Sequence, residues 1–169
     1  MPFGDDTAVM VKIATEAEIN THLQTLTETP QRILACANGL DEMRLETPFA
    51  PDEWSIVEIL AHVRGAADVW SYSIYAMLTV DNPKLPYLHP RVWTKKQGYA
   101  RLSFAENFEA FKVGRNNLVR VLSGLSLKDW GRSATIKGKV ATYTVFGETM
   151  RMALHDADHC NQLETIVKS

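Results

Sequence analysis

The same helix-start signal occurs twice in this chain of 169 residues, and the two copies set its organisation. In each copy a serine is followed three residues later by a glutamate, so that each side chain can bond a free backbone amide in the first turn of a helix. Ser55 and Glu58 form the first copy, and Ser103 and Glu106 form the second. Apolar residues at helical spacing follow each copy. We therefore predict helices that begin near these two serines.

Apolar stripes also predict a helix toward each end of the chain. They run from about Ala14 to Leu40 and from about Thr144 to Lys168. Pro30 interrupts the first stripe, so this helix either bends there or gives way to a new helix capped by Thr29. The four stripes together predict an all-α protein, a four-helix bundle with helices of about 20 residues.

The connections between the predicted helices differ in length. The segment 79–102 contains three prolines and is long enough to run the length of a bundle. We therefore predict a long crossover between the second and third helices, anchored by Trp93 and Tyr87. Residues 41–53 are predicted to be a loop. Residues 125–143 are predicted to be a linker in which a short β-hairpin can form before the last helix, with its turn near Gly138.

Length and composition predict one globular domain over residues 1–169. A net charge of -2 and a pI near 6.2 speak against a nucleic-acid-binding surface. No apolar stretch is long enough for a membrane span, and the acidic N-terminus lacks the layout of a signal peptide. Cys36 and Cys160 are too few and too far apart for a disulfide framework, so we expect a cytoplasmic protein.

The last predicted helix carries His155 and His159, four residues apart. On a helix this spacing turns both imidazoles to one face, where they can chelate one divalent metal ion. Gln162 extends the same stripe. A third ligand is needed, and His62 inside the second helix is a candidate. The alternative is that His62 is a core histidine bonded to Glu58 one turn back, because periodicity does not say what a helix faces.

Two motifs carry a resemblance to a known family. The second helix has Trp54-Ser55-x-x-Glu58-x-x-x-His62, and the last has His155-Asp156-x-x-His159-x-x-Gln162. In these motifs, and in the order and spacing of its helices over residues 15–168, the chain resembles the DinB/YfiT-like metalloenzyme family. The resemblance implies a four-helix bundle with a crossover between the second and third helices, and a metal held by three histidines at an open end of the bundle.

The resemblance also implies roles for individual residues. Its metal ligands would be three histidines: His62, His155 and His159. Gln162 and Glu58 match family positions near the site, where we expect them to support the ligands or the helix start. Cys160 falls where the family motif varies, and we interpret it as a packed thiol. No catalytic residue is assigned.

Three neutral imidazoles leave a divalent ion with at least one open position, which is typical of catalytic sites. Zinc and nickel suit such ligands best, although the sequence does not choose between them or exclude iron, manganese or cobalt. Such an ion lowers the pKa of a bound water or thiol. Relatives in the family include thiol S-transferases that use bacillithiol and an isomerase that uses mycothiol. The resemblance therefore implies an enzyme that activates a low-molecular-weight thiol for attack on a small-molecule substrate, as in detoxification.

Other functions stay open on the sequence alone. One alternative is a metal-dependent hydrolase that uses bound hydroxide. Another is a non-catalytic stress or interaction protein in which the metal stabilises the bundle. The simplest alternative is that the histidines are ordinary core or surface residues. Members of the family often pair, so the resemblance also implies a homodimer.

Overall fold

The computed structural model describes residues 14–168. The first thirteen residues, on which the signal-peptide expectation rests, lie outside this range. In chain order the elements are α1 (Glu16–Ala37), α2 (Glu42–Glu46), α3 (Ile56–Thr79), β1 (Lys84–Leu85), α4 (Pro90–Gln97), a 3-10 turn (Tyr99–Arg101), α5 (Phe104–Ser123), α6 (Leu127–Trp130), β2 (Ser133–Ile136), β3 (Thr142–Thr144) and α7 (Val145–Ile166).

The four long helices α1, α3, α5 and α7 form the bundle. Both α1 and α3 pack against α5 and α7, and the crossover from α3 to α5 carries β1 and α4 along the outside of α3. This confirms the predicted four-helix bundle and its crossover. Among the described residues, no helix combines the length and the apolar character that a bilayer span requires.

Side-chain caps determine where the long helices begin. At the start of α3 the Ser55 amide donates to Glu58 Oε2 at 2.8 Å, and the Glu58 amide donates to Ser55 Oγ at 3.2 Å. Ser103 and Glu106 form the same reciprocal pair at the start of α5. Both predicted helix starts are therefore confirmed, and Thr15 caps α1 in the same way.

α1 continues through Pro30 as one helix, so of the two alternatives the second helix capped by Thr29 is wrong. The Thr29 hydroxyl instead donates back to the Thr25 carbonyl at 2.8 Å. Proline has no N–H to bond the carbonyl four residues earlier, which here is that of Leu26. Nη1 of Arg115 on α5 donates to this carbonyl at 3.3 Å. A neighbouring helix thus supplies the hydrogen bond that Pro30 cannot make.

The predicted loops contain three short helices that periodicity did not reveal. Asp41 caps α2, and His89 caps α4 with Pro90 in its first turn. A helix of one or two turns has too few residues to show a 3.6-residue period, so caps and prolines are the only local signals. The predicted hairpin is confirmed: β2 pairs with β3 antiparallel, and Gly138 lies between them with φ +82. β1 adds a parallel third strand.

The crossover is anchored to α3 by one of the two predicted aromatic residues. Trp93 packs on the core and its Nε1 lies 3.4 Å from Asp68 Oδ2 on α3. Tyr87 is 54% exposed and does not serve as an anchor.

The closest approach of α4 to α3 occurs at Gly65. A Cβ built on Gly65 would lie 1.9 Å from Thr94 Oγ1 and 3.1 Å from Thr94 Cβ, so any side chain there must displace α4. We expect Gly65→Ala to lower the free energy of unfolding by about 1–3 kcal/mol relative to Gly114→Ala, measured by urea denaturation. Gly114 lies inside α5 with open space around it, so its substitution should stabilise by up to about 1 kcal/mol. Equal effects of the two substitutions would contradict the close approach.

Candidate metal centre

Three histidines meet where α3 packs against α7: His62, His155 and His159. One ring nitrogen from each lies within 4.8 Å of the others. Nε2 of His62 and Nε2 of His155 are 3.0 Å apart. Two nitrogens bonded to one ion at about 2.0–2.1 Å lie roughly 3.0–3.4 Å apart, so this pair already has the spacing of two ligands. The structure brings together all three residues predicted as ligands.

Burial keeps the imidazoles of His62 and His159 in the form that binds metal. His62 is 9% exposed, and burial lowers its pKa to about 3, with the positive charges of His155, His159, Arg91 and His89 acting in the same direction. Burial also lowers the pKa of His159. A metal ion requires neutral imidazole, so these two rings do not have to lose a proton to bind one near neutral pH.

Hydrogen bonds at the outer nitrogens orient two of the rings. His159 Nδ1 lies 2.9 Å from Gln162 Oε1, to which it can donate, and His155 Nδ1 lies 3.4 Å from Asp156 Oδ1. Such bonds place the proton on Nδ1 and leave the lone pair of Nε2 for a ligand. Gln162 therefore lies beside His159, close to the predicted ligands, as the family motif implied.

His62 does not make the hydrogen bond to Glu58 that its interpretation as a core histidine requires. Its Nε2 faces His155, and the Glu58 carboxylate accepts from the Ser55 amide in the cap. Nδ1 of His62 is buried and has no hydrogen-bond partner among residues 14–168. Glu58 thus supports the start of the helix that carries His62 and does not bond the imidazole.

Two tryptophans form the walls of the site. The Trp54 ring meets His62 edge-on, with centroids 5.1 Å apart, and stacks on His159 at 6.5 Å. Trp70 meets His155 edge-on at 4.9 Å. The sequence suggested only a core role for Trp54. Apolar walls exclude water and strengthen electrostatic interactions inside a site.

The three histidines are the only cluster of potential metal ligands found in the described part of the chain. Cys160, which follows His159, does not join them. It is 1% exposed, and burial raises its pKa to about 12. This confirms the packed thiol and makes Cys160 a poor nucleophile or ligand, because the reactive form of cysteine is the thiolate. A bound ion would therefore keep open positions.

A buried ion pair lies directly behind the site. Arg115 Nη1 of α5 is 2.6 Å from Asp156 Oδ2 of α7, and both side chains are almost completely buried. The other carboxylate oxygen of Asp156 faces His155. The sequence contained a signal for this pair, because Arg115 interrupts an apolar stripe between Phe111 and Leu118.

A second buried acid on α7, Glu148, makes only a long ion pair. Glu148 lies seven residues before His155 and is 4% exposed, and the nearest guanidinium nitrogen, of Arg151, is 3.8 Å away. Burial raises the pKa of Glu148 to about 7, and Arg151 only partly opposes this effect.

The other two described histidines have roles outside the site. The His22 ring packs against Phe146, with centroids 5.7 Å apart. His89 Nδ1 accepts from the Arg91 amide and caps α4.

Comparison with known proteins agrees with this architecture. The sequence model of the DinB superfamily matches residues 25–163, which include all three histidines and Gln162. The chain belongs to the DinB superfamily. Among solved structures, it is similar to YfiT from Bacillus subtilis, described as a probable metal-dependent hydrolase with an unusual four-helix bundle topology. The TM-score is 0.79 at 13% identity, covering 92% of this chain and 89% of YfiT. A comparison with curated proteins found no match.

At this identity the likeness to YfiT establishes the fold of this DinB protein and not its reaction. The superfamily match covers both motifs on which the resemblance of the sequence rests. The sequence assigned no role at the site to Trp70, Arg115 or Asp156, and their contacts there are seen only in the structure.

The buried ion pair leads to a stability prediction. Asp156→Asn and Arg115→Met should each lower the free energy of unfolding by about 3–5 kcal/mol, because each leaves a buried charge without its partner. The double variant should lose much less than the sum of the two single losses. Chemical denaturation of all three variants measures this coupling. Asp81→Asn, which breaks the solvent-exposed pair with Arg132, should cost less than about 1 kcal/mol. Additive effects of the two buried substitutions would contradict the coupling.

Glu148 leads to a pH prediction. Its carboxyl titrates at about 7 in the folded protein and near 4.5 when unfolded. The folded state therefore binds the proton more tightly, and stability present below pH 4.5 is lost as the pH rises through 7. The loss amounts to up to about 3 kcal/mol. Glu148→Gln should be more stable than wild type at pH 8 and similar to it at pH 4.5, in thermal unfolding. Glu109→Gln on the surface of α5 serves as the control. An equal difference at both pH values would disprove the titration.

Proposed function

We propose that this chain is a metal-dependent enzyme in which three histidines hold a divalent ion that activates a nucleophile for attack on an electrophilic small molecule. One observation carries the proposal: three imidazole nitrogens converge within 4.8 Å and no other protein ligand joins them within residues 14–168. A site with three protein ligands and open positions is typical of catalytic metals, whereas structural sites are closed. Zinc and nickel suit this ligand set.

The residues of the chain fit such an ion. The rings of His62 and His159 are kept neutral by burial, and Gln162 and Asp156 lie at the outer nitrogens of His159 and His155. A divalent ion bound there would supply Lewis acidity, lowering the pKa of a coordinated water or thiol toward neutrality. Since the Cys160 thiol is buried and protonated, the nucleophile has to come from solution.

Two nucleophiles fit the proposal. Water would make the protein a hydrolase, the activity named for the structurally similar YfiT. A low-molecular-weight thiol would make it a transferase, as the family resemblance of its sequence motifs implies. Both reactions use the same three histidines, so the choice rests on substrates and not on the ligand set.

The first test is metal binding. Replacement of any one of His62, His155 and His159 by alanine should remove stoichiometric zinc or nickel, because two imidazoles are half of a tetrahedral site. Gln162→Ala should weaken binding by about 10–100-fold, since it removes the acceptor that orients His159. Elemental analysis after dialysis, with a chelator competition for affinity, measures both effects. His22→Ala is the matched control and should retain the metal. Wild-type metal content in His62→Ala would refute the site.

Turnover by the metal-loaded protein tests the reaction. Esters and amides are assayed without thiol, and electrophiles are assayed with cysteine-containing low-molecular-weight thiols. Hydrolysis without thiol would identify water as the nucleophile, whereas turnover only with thiol would identify a transferase. His155→Ala should abolish either activity. Tight metal binding with a higher unfolding temperature and no turnover in any assay would instead favour a metal that stabilises the bundle.

A further inference from the structure

Positive charge is concentrated in the crossover that lies against the metal-site helix α3. Between residues 82 and 105 the sequence has five lysines and arginines and no aspartate or glutamate. The chain as a whole has a net charge of -2, so the remainder is acidic. Such separation of charge creates a local positive potential that attracts anions.

The crossover helix α4 is held in a fixed position on α3. Thr94 lies against Gly65 without room for a side chain between them. Beyond α4, the Tyr99 hydroxyl donates to Asp68 Oδ2 at 2.6 Å, and the Arg64 guanidinium lies 3.8 Å from the centroid of the Tyr99 ring. Residues on α4 therefore keep a defined position relative to His62, which is on the same helix as Gly65.

One cation of α4 lies beside an aromatic ring that lines the site. The guanidinium carbon of Arg91 is 5.6 Å from the centroid of the Trp54 ring, and the same ring contacts His62 and His159. Arg91 is exposed, and it forms no ion pair with an acid in the described part of the chain.

We propose that Arg91 binds an anionic group of the substrate, a carboxylate or a phosphate, while the reactive end of the same molecule lies at the three histidines. A guanidinium binds either group through paired hydrogen bonds. The Trp54 ring between the two ends offers an apolar surface for the middle of the molecule. This substrate class rests on the proposed function, because the reactive end needs a metal at His62, His155 and His159.

Simple thiols test the proposal, because a thiolate binds a metal held by imidazoles and can carry a charge at its far end. The probes are 3-mercaptopropionate and 6-mercaptohexanoate, each paired with its uncharged primary amide. Calorimetric titration of the zinc-loaded protein should show that at least one carboxylate binds about three- to tenfold more tightly than its amide. High salt should reduce this ratio, because the guanidinium is exposed.

Two variants make the test specific to Arg91. Arg91→Gln should bring the ratio of carboxylate to amide affinity close to one. Lys96→Gln should leave the ratio unchanged, since Lys96 lies about 140° round the same helix from Arg91. If Arg91 only packs on Trp54, Arg91→Gln would weaken both members of each pair equally and preserve the ratio, which would overturn the proposal. A ratio of one in the wild type would also overturn it. Failure of the protein to hold zinc would defeat the proposed function itself, and the two failures are therefore distinguishable.

Discussion

The buried ion pair between Arg115 and Asp156 is the interaction on which the interior of this bundle depends. Arg115 also bonds the Leu26 carbonyl that Pro30 leaves free, and Asp156 faces His155, so one pair joins α1, α5 and α7 to the metal site. The pair is costly to bury, and either partner alone would be costlier. Replacing one of these residues therefore requires replacing the other. α1 can contain Pro30 because Arg115 donates to the Leu26 carbonyl in its place.

This polar contact also divides the apolar core. The core consists of a cluster at the sheet end, which includes Leu26, Leu118 and Ala153, and a cluster at the other end, which includes Ile33, Phe111 and Cys160. On α1, α5 and α7 the boundary between the clusters falls beside the Leu26 carbonyl, Arg115 and Asp156, and on α3 it falls beside His62, between Val63 and Ala66. A polar layer of this kind fixes the register of the helices, because sliding one helix by a turn would separate the charges. Since the histidines lie in the same layer, their geometry is set by the packing of the whole bundle.

The sequence predicted what depends on local periodicity and on short motifs. The helix starts at Ser55 and Ser103 follow from side chains that bond backbone amides in the same helical turn. His155 and His159 share a face on any helix because they are four residues apart. Whether His62 reaches them depends on which face of α3 meets α7, which periodicity does not determine. The family motifs supplied that information. The short helix α4 was missed because eight residues show only a weak helical period. Its contact with Gly65 was missed because the two contacting residues are far apart in the sequence.

The features that periodicity missed are those that give the site its chemical character. An ion held by three imidazoles is a general Lewis acid, and the ligands alone do not choose a substrate. Under the proposed function, selectivity comes from the groups around the ion, which here are Trp54, Trp70 and the basic crossover. The crossover returns along the bundle from the end of α3 to the start of α5, and on the way it packs α4 against α3, close to the turn that carries His62. Because α4 is bound to α3 and not to the histidine face of α7, its sequence can change without disturbing the polar layer. The crossover can therefore change in sequence while the three histidines keep their geometry.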